Sequence, residues 1–314
     1  MLRDGTPDVD VVFVNLVVHD GCLAHRSSVP VNAYCCPVSV IYAVLSTFSI
    51  ALSDFFASGI TKRQRANEVT SAVLFAGVVV MAPTAVFWTG NPTTADLVHG
   101  ALAGAANGVG LLLLFVAYSR GSLRSAAPTA AVVMSGVPVL WDIFVSGTSP
   151  STITSIGLTL GVVAIALSSY ERGEPDNGSA GLFIAGLAGV VFGILLILLS
   201  YIGDDAGGSP LLLQRVVAFF IAISVARATG PRIFPSDRSA FITSFGAGIF
   251  GIAAVVLFVL ALKGGSLAVV SVVGSQYAAV AVLLGVAIRG QRMWWWQALG
   301  LGGSSLAVAL IAIG

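Results

Sequence analysis

The chain has 314 residues, of which 57% are hydrophobic and only 9% are charged, and its mean hydropathy is +0.97. A globular protein ordinarily carries about 25% charged residues, so this composition excludes a soluble protein. The 15 basic and 14 acidic residues lie mostly in short clusters between apolar runs, which is the layout of a polytopic membrane protein. No basic face exists to neutralise phosphates, which excludes a nucleic-acid-binding protein.

Residues 1–36 form a polar N-terminal tail that we expect to be disordered. Its longest apolar stretch, 11–18, is too short to span a bilayer core of about 30 Å. The tail also lacks the basic start and the long apolar core of a signal peptide. The three cysteines of the chain all fall in this tail, so we expect neither a disulfide framework nor a thiolate metal cluster in the body: they are Cys22, Cys35 and Cys36.

From Pro37 onward, apolar runs of about 18 to 25 residues alternate with short polar breaks, and each run is long enough for one transmembrane helix. Backbone polar groups in lipid must be satisfied within their own segment, so runs of this length are predicted to be helical. The sequence therefore predicts an all-α integral membrane protein with ten transmembrane helices, at about 37–60, 67–88, 96–118, 122–146, 152–170, 179–203, 209–228, 241–262, 266–288 and 294–313.

The second half of the chain repeats features of the first half. Residues 117–123 match residues 261–267 at four of seven positions, 144 residues apart, and matches that begin at Gly157 and Gly300 are 143 apart. Two nearly equal offsets indicate duplication of a five-helix unit. Because five is odd, the second copy enters the membrane from the opposite side, as in many secondary transporters. The predicted units are a first repeat at 37–170, a connecting loop at 171–178 and a second repeat at 179–314.

The Lys and Arg residues predict the orientation of the chain in the membrane. Eleven of them lie on the side of the loop that joins the first two helices, and three lie on the other side. Basic loops remain in the cytoplasm, so this loop is predicted to be cytoplasmic and both termini are predicted to lie outside, with the plasma membrane as the location. The three tryptophans at 294–296 then lie at the cytoplasmic interface.

Four features suggest a family. They are Ser53, Asp54 and Phe55 before a basic cluster; the glycine-rich run 100–110 that continues to Ala117; the segments 127–128 and 138–140; and the segment 260–265. With the inverted layout, they make residues 37–314 resemble the EamA-type family of the drug/metabolite transporter (DMT) superfamily. The resemblance implies ten helices around a central cavity and transport of small organic metabolites, often by proton exchange or by facilitated export.

Two ionisable residues lie inside predicted helices. A charged side chain in the membrane costs about 2.5 to 3.5 kcal/mol on insertion scales, which marks it as a functional candidate. Asp54 is the candidate for proton coupling, and Arg215 is a candidate for binding an anionic group of a substrate. The alternative for both is a side chain that reaches to the interface. Their predicted depths differ by about 12 Å, which argues against a direct salt bridge.

Uncharged polar residues lie near the predicted midplane, where inverted repeats hold their substrates. Amides and a phenol at this depth are suited to orient a small polar solute within apolar walls. The alternative is that they form hydrogen bonds between helices, worth about 0.6 kcal/mol each. The candidates are Asn107, Ser135, Gln276 and Tyr277.

Glycines recur every four residues in two predicted helices and indicate close helix packing. They are Gly100, Gly104 and Gly108 in the third helix, with Gly189 and Gly193 in the sixth. The sliding surfaces of an alternating-access transporter need the same feature, and the pattern does not separate the two. Asp96, His99 and Asp142, near the external ends of the third and fourth helices, are predicted to lie at a hydrated interface, with an external gate or a proton relay as the alternative.

Several chemistries have no residues to support them. The two lysines, Lys62 and Lys263, do not follow the glycine spacing of a phosphate-binding loop, so no ATP-binding subunit is implied. No serine elbow or paired-carboxylate site supports hydrolysis, so we expect no enzyme, catalytic residue, cofactor or metal. The sequence predicts a secondary transporter or exporter of small organic metabolites that works by alternating access, with the bilayer and a small solute as partners. The alternative is a flippase of a lipid-linked or amphiphilic intermediate.

Overall fold

The computed structural model describes residues 37–121, 123–145, 151–169, 177–264, 270, 273–274, 276–290 and 294–313. The predicted tail at 1–36, with its three cysteines, lies outside the described residues, and so does 171–176 of the predicted connecting loop. Each described helix lies over one of the predicted apolar runs, and no β-strand occurs in these ranges. The helices whose bounds are described in these ranges are α1 (Pro37–Ile60), α2 (Ala66–Phe87), α3 (Thr94–Arg120), α4 (Leu123–Val145), α5 (Thr152–Ser169), α6 (Asn177–Ser200), α7 (Ser209–Thr229), α8 (Arg238–Gly264), α9 (Tyr277–Arg289) and α10 (Trp295–Ile313).

Six of these helices, α1, α2, α3, α6, α7 and α8, are long and apolar enough to cross a membrane by length and composition. Large apolar side chains on their outer faces are exposed: Phe183 keeps 71% of its surface accessible and Phe220 keeps 62%. An extended exposed apolar surface is expected where lipid is the solvent. The protein is therefore an all-α integral membrane protein.

Helix ends follow local chemistry. The N-terminus of α3 has a capping box, in which the Thr93 side chain accepts from the Asp96 backbone and the Asp96 side chain accepts from the Thr93 backbone. At the other end of the bundle, α9 ends at Gly290, whose φ of 61° is left-handed and suits glycine. This helix begins at Tyr277, within the predicted ninth run, and Gln276 lies at a turn just before it. The residues described earlier in the run, Val270, Val273 and Gly274, are also helical, so the run is a helix interrupted at Gln276.

The predicted glycine seams are confirmed as close packing surfaces. A Cβ atom at Gly104 would lie 2.5 Å from the carbonyl oxygen of Gln214, so α3 approaches α7 backbone to backbone. A Cβ atom at Gly189 would lie 2.6 Å from the carbonyl oxygen of Ala130, which brings α6 against α4 in the same way. Glycine permits both approaches because it has no side chain. Elsewhere α1 packs on α8, α3 on α6, α2 on α7 and α8, and α5 on α10.

Candidate functional site

A central cavity of about 120 Å³ lies among the helices. Helices α1–α4 and α6–α9 contribute to its wall, together with Gly274 just before α9. Helices α5 and α10 pack against each other and contribute no described lining residue. Most of the wall is apolar. Four of the predicted site residues line it: Asp54, Asn107, Arg215 and Tyr277. Ser53, which was not a predicted site residue, also lines it.

Asp54 is held by a tyrosine that the sequence did not single out. The Tyr118 hydroxyl group of α3 donates a hydrogen bond of 2.7 Å to Oδ2 of Asp54, and both side chains are buried. Near the end of an apolar run a tyrosine resembles an interfacial aromatic residue, so the residue pattern alone gave no sign of this role. The carboxyl group thus has one oxygen with a partner while it borders the cavity.

Arg215 is 2% exposed and lines the same cavity. One terminal nitrogen donates a hydrogen bond of 3.0 Å to the carbonyl oxygen of Gly251, and Nε has no described partner. Gly77 leaves room for the side chain, because a Cβ atom there would lie 3.0 Å from Cδ of Arg215. As the sequence predicted, no direct ion pair joins Arg215 to Asp54 among the described contacts.

Two amides on the seam between α3 and α7 are also left without partners. Asn107 is 4% exposed, lines the cavity and has no described partner for Nδ2. Gln214 is fully buried beside Arg215, and neither of its amide atoms has a described partner. The sequence analysis did not select Gln214, since it precedes an arginine near the start of its apolar run. Burying an amide without a hydrogen-bond partner costs free energy, so the two amides on this seam lower the stability of the folded protein.

Ser135 and Gln276 do not line the central cavity. The Ser135 hydroxyl group donates to carbonyl oxygens of its own helix, at 2.9 Å to Ala131 and 3.1 Å to Val132, so it needs no external partner. Gln276 Nε2 donates to the carbonyl oxygen of Ser305 at 3.4 Å and borders a separate, smaller hollow beside α10. The Gln276 contact follows the alternative interpretation, in which polar groups form hydrogen bonds between helices, whereas the Ser135 contacts lie within one helix.

The loops that join α2 to α3 and α6 to α7 meet at one end of the bundle, which we call the Trp88 end. Gly208 N donates to the carbonyl oxygen of Trp88 at 2.9 Å, and Asn91 N donates to that of Asp205 at 2.8 Å. Gly203 N donates to Oδ1 of Asp96 at 2.7 Å. Asp96 therefore caps its helix and also accepts a hydrogen bond from the neighbouring loop. The sequence predicted only that this residue lies at a hydrated interface. His99 stacks on Tyr201 at 5.4 Å.

The opposite end, which we call the Lys62 end, is joined by long polar side chains. Lys62 donates to the carbonyl oxygen of Gly121, and Asn67 donates to the Thr229 hydroxyl group. Arg289, at the end of α9, donates to the carbonyl oxygen of Phe55 and, at 3.1 Å, to the Ser58 hydroxyl group. Its guanidinium carbon lies 4.1 Å from the centre of the Phe55 ring. These contacts tie α9 to α1 one turn beyond Asp54.

Replacing Arg289 by glutamine is expected to loosen the Lys62 end. The change removes donors to α1 and a cation–π contact of about 0.5–1 kcal/mol or more. We expect several-fold faster labelling of Ser53→Cys, in the cavity wall, by a membrane-impermeant maleimide, measured in protein whose three native cysteines are serines. Arg227→Gln, at an exposed arginine of α7 at the same end, is the control and should leave the rate unchanged. Equal rates in both variants would show that Arg289 does not restrict access.

No cluster of three or more His, Cys, Asp or Glu side chains suited to a metal ion occurs in the described part of the chain. No protein-family model matches the chain, and no curated protein matches its sequence. By fold, 28 solved chains match it. One of them, described only as a crystal structure of a protein, has a TM-score of 0.62 at 15% identity, and the match covers 87% of this chain and 95% of that chain. At this identity the likeness shows the fold alone.

Proposed function

We propose that this protein is a secondary transporter of small organic solutes that works by alternating access, as a member of the EamA-type family of the DMT superfamily. The observation that carries the proposal is the central cavity, in which Asp54, Asn107, Arg215 and Tyr277 meet among apolar walls. An ionisable group inside a membrane helix is costly and typically marks a solute or ion pathway. Here two such groups share one cavity with the polar side chains of Ser53, Asn107 and Tyr277.

The proposal includes ten membrane spans arranged as two inverted five-helix repeats. The most extensive helix contacts support this arrangement, because they recur when each helix is exchanged for the one five positions away. The contact of α1 with α8 corresponds to that of α6 with α3, and the contact of α2 with α8 corresponds to that of α7 with α3. The pairs α2 with α7 and α5 with α10 correspond to themselves, as expected for pairs that lie across a pseudo-two-fold axis.

Single side chains support the same correspondence. Lys62 donates to the carbonyl oxygen of Gly121, and Lys263 donates to that of Asp204 at 2.6 Å. Gly121 and Lys263 are 142 positions apart, and so are Lys62 and Asp204. In each half, a lysine therefore joins the ends of the first and third helices, with donor and acceptor exchanged. The two lysine contacts lie at opposite ends of the bundle.

Alternating access then has a concrete form in this molecule. The contacts of the Trp88 end and the Lys62 end flank the cavity, and each set is built from a few hydrogen bonds between loops and helix ends. Breaking one set while the other holds exposes the cavity to one side of the membrane. In the proposed cycle the carboxyl group of Asp54 takes up and releases the coupled proton, and Asn107 and Tyr277 orient the solute. The chain has no catalytic role in the proposal and needs no cofactor.

The location and orientation are part of the proposal as well. The loop between α1 and α2 lies in the cytoplasm, both termini lie outside, and the protein resides in the plasma membrane. The Lys and Arg distribution supports this orientation. The Lys62 end is then the cytoplasmic end of the cavity.

Comparative metabolite profiling of cells that lack or overproduce the protein tests the function, followed by flux of the most changed metabolites in proteoliposomes. We expect saturable flux of at least one small solute, and none in liposomes without protein. A flippase would instead move only amphiphilic molecules, such as a fluorescent phospholipid, from one leaflet to the other. Lipid movement without flux of any water-soluble metabolite would contradict the proposal.

A further inference from the structure

The polar groups of the cavity wall include several hydrogen-bond donors. Nε of Arg215 and Nδ2 of Asn107 have no described partner, and Tyr277 adds a hydroxyl group to the same wall. Oδ2 of Asp54, an acceptor, is already used by Tyr118. Buried donors are nearly always satisfied in native proteins, so a molecule that supplies several acceptor atoms complements this wall.

The positive charge of Arg215 indicates the charge of the molecule that the cavity binds. Arg215 is 2% exposed, and the described hydrogen bond of its guanidinium group goes to the neutral carbonyl group of Gly251. A buried cation without a partner is costly, and a guanidinium group binds a carboxylate through two parallel hydrogen bonds. An anion at this point supplies both the missing charge and the missing acceptors.

The size and the walls of the cavity define the rest of the molecule. An apolar cavity of about 150 Å³ in another protein holds one benzene ring, and this cavity has about 120 Å³. Its walls away from the polar groups are apolar, with Leu111, Met134, Phe192 and Phe258 among them. The body of the molecule is therefore small and apolar, about the size of a single ring or a short branched chain.

We infer that the cavity binds a small monocarboxylate with an apolar body, held at its carboxylate by Arg215 and Asn107, together with one proton on Asp54. The binding step stands on the cavity alone, whereas movement of the bound pair across the membrane rests on the proposed function. The substrate class is thus an anion that travels with a proton, which makes the bound complex electrically neutral.

The proton follows from the charges that share the cavity. The titratable groups facing Asp54 are Tyr118 on α3, Tyr277 on α9 and Arg215 on α7, with Arg289 one turn away, and α8 adds none among the described lining residues. Arg215 with an ionised Asp54 and a bound carboxylate would leave one net negative charge in an apolar surrounding. With a protonated Asp54 the sum is zero, which is favoured where the dielectric constant is low.

Calorimetric binding of benzoate to the full-length protein in nanodiscs tests the anion site. We expect benzoate to bind, and benzamide and benzylamine to bind at least about tenfold more weakly. Arg215→Gln should weaken benzoate binding by at least about tenfold, and Arg215→Lys, which keeps the charge, should lose less. Arg227→Gln, at an exposed arginine of the same helix, should bind as the unaltered protein does. Equal binding of benzoate and benzamide, or full binding by a folded Arg215→Gln protein, overturns the inference.

Proton uptake is measured by repeating the titration in buffers of different ionisation enthalpy. We expect about one proton taken up per benzoate, and an affinity for benzoate that falls as the pH rises. Asp54→Asn should keep benzoate binding and lose both the uptake and the pH dependence. The same uptake in that variant assigns the proton to another group and overturns this part of the inference.

The outcomes of these experiments distinguish failure of the inferred ligand class from failure of the proposed transport function. Benzoate binding without flux of benzoate or any other solute in proteoliposomes contradicts the proposed function and leaves the binding site intact. Flux of neutral or cationic solutes by a protein that does not bind benzoate contradicts the ligand class and leaves the proposed function intact.

Discussion

Asp54→Asn is expected to reduce solute flux driven by a pH gradient to the level of liposomes without protein. Asparagine has almost the same shape and keeps an acceptor for the Tyr118 hydroxyl group, which lies 2.7 Å from Oδ2 of Asp54. It cannot bind or release a proton, so a pH gradient no longer drives the cycle. Exchange of labelled for unlabelled solute across the membrane, which needs no net proton movement, should persist. The measurement is radiolabelled uptake with and without an imposed gradient.

Glu68→Gln is the matched control for this experiment. Glu68 is a second buried acidic residue, 6% exposed, on α2, and it is not part of the cavity wall. Its neutralisation should leave uptake driven by the pH gradient unchanged, with the same thermal unfolding in detergent for all three proteins. If folded Asp54→Asn protein still accumulates solute under a pH gradient, Asp54 is not the coupling group.

Gly248→Ala is expected to destabilise the protein by about 1–3 kcal/mol, the usual cost of adding atoms to a packed contact. A Cβ atom at this position of α8 would lie well inside van der Waals contact of the Val73 carbonyl oxygen on α2. Backbone cannot move aside as the end of a side chain can, so the two helices must separate. The check is the thermal unfolding temperature of detergent-solubilised protein, together with its yield as a single species on size exclusion.

Gly246→Ala in the same helix is the matched control. A Cβ atom there meets no atom within 4 Å, so only the helix propensity changes, which favours alanine by about 0.5–1 kcal/mol. We therefore expect this variant to be as stable as the unaltered protein or slightly more stable. Equal destabilisation of both variants would mean that the glycines matter for the backbone of α8 and not for its packing on α2.

The positions of the helices could be predicted from the sequence because lipid leaves a long apolar segment little choice. Every backbone polar group must form its hydrogen bond within the segment, so the bounds of each apolar run indicate where a helix begins and ends. The exception is the ninth run, where α9 begins at Tyr277 and Gln276 lies before the helix. The residues described before it in this run, Val270, Val273 and Gly274, are also helical. Hydropathy does not separate a continuous helix from one that is interrupted by a turn.

The residues of the candidate site could be predicted where burying a charge in the membrane has a known free-energy cost. Asp54 and Arg215 were selected because charge is expensive in a membrane, and both line the cavity. Tyr118, Gln214 and Arg289 were not selected, because each resembles an ordinary residue of a helix end or interface in its own segment. Their roles depend on contacts with α1 or α3, which lie far away in the chain.

Composition and the lengths of the apolar runs are enough to identify a helical membrane protein, to locate its helices and to single out two charges that need an explanation, since they reflect the solvent around each segment. The packing of the helices establishes which polar groups share one cavity and which, such as Ser135, form hydrogen bonds within their own helix. The direction of a side chain around its helix axis is set by packing against helices from the other half of the chain, and no local pattern records those neighbours.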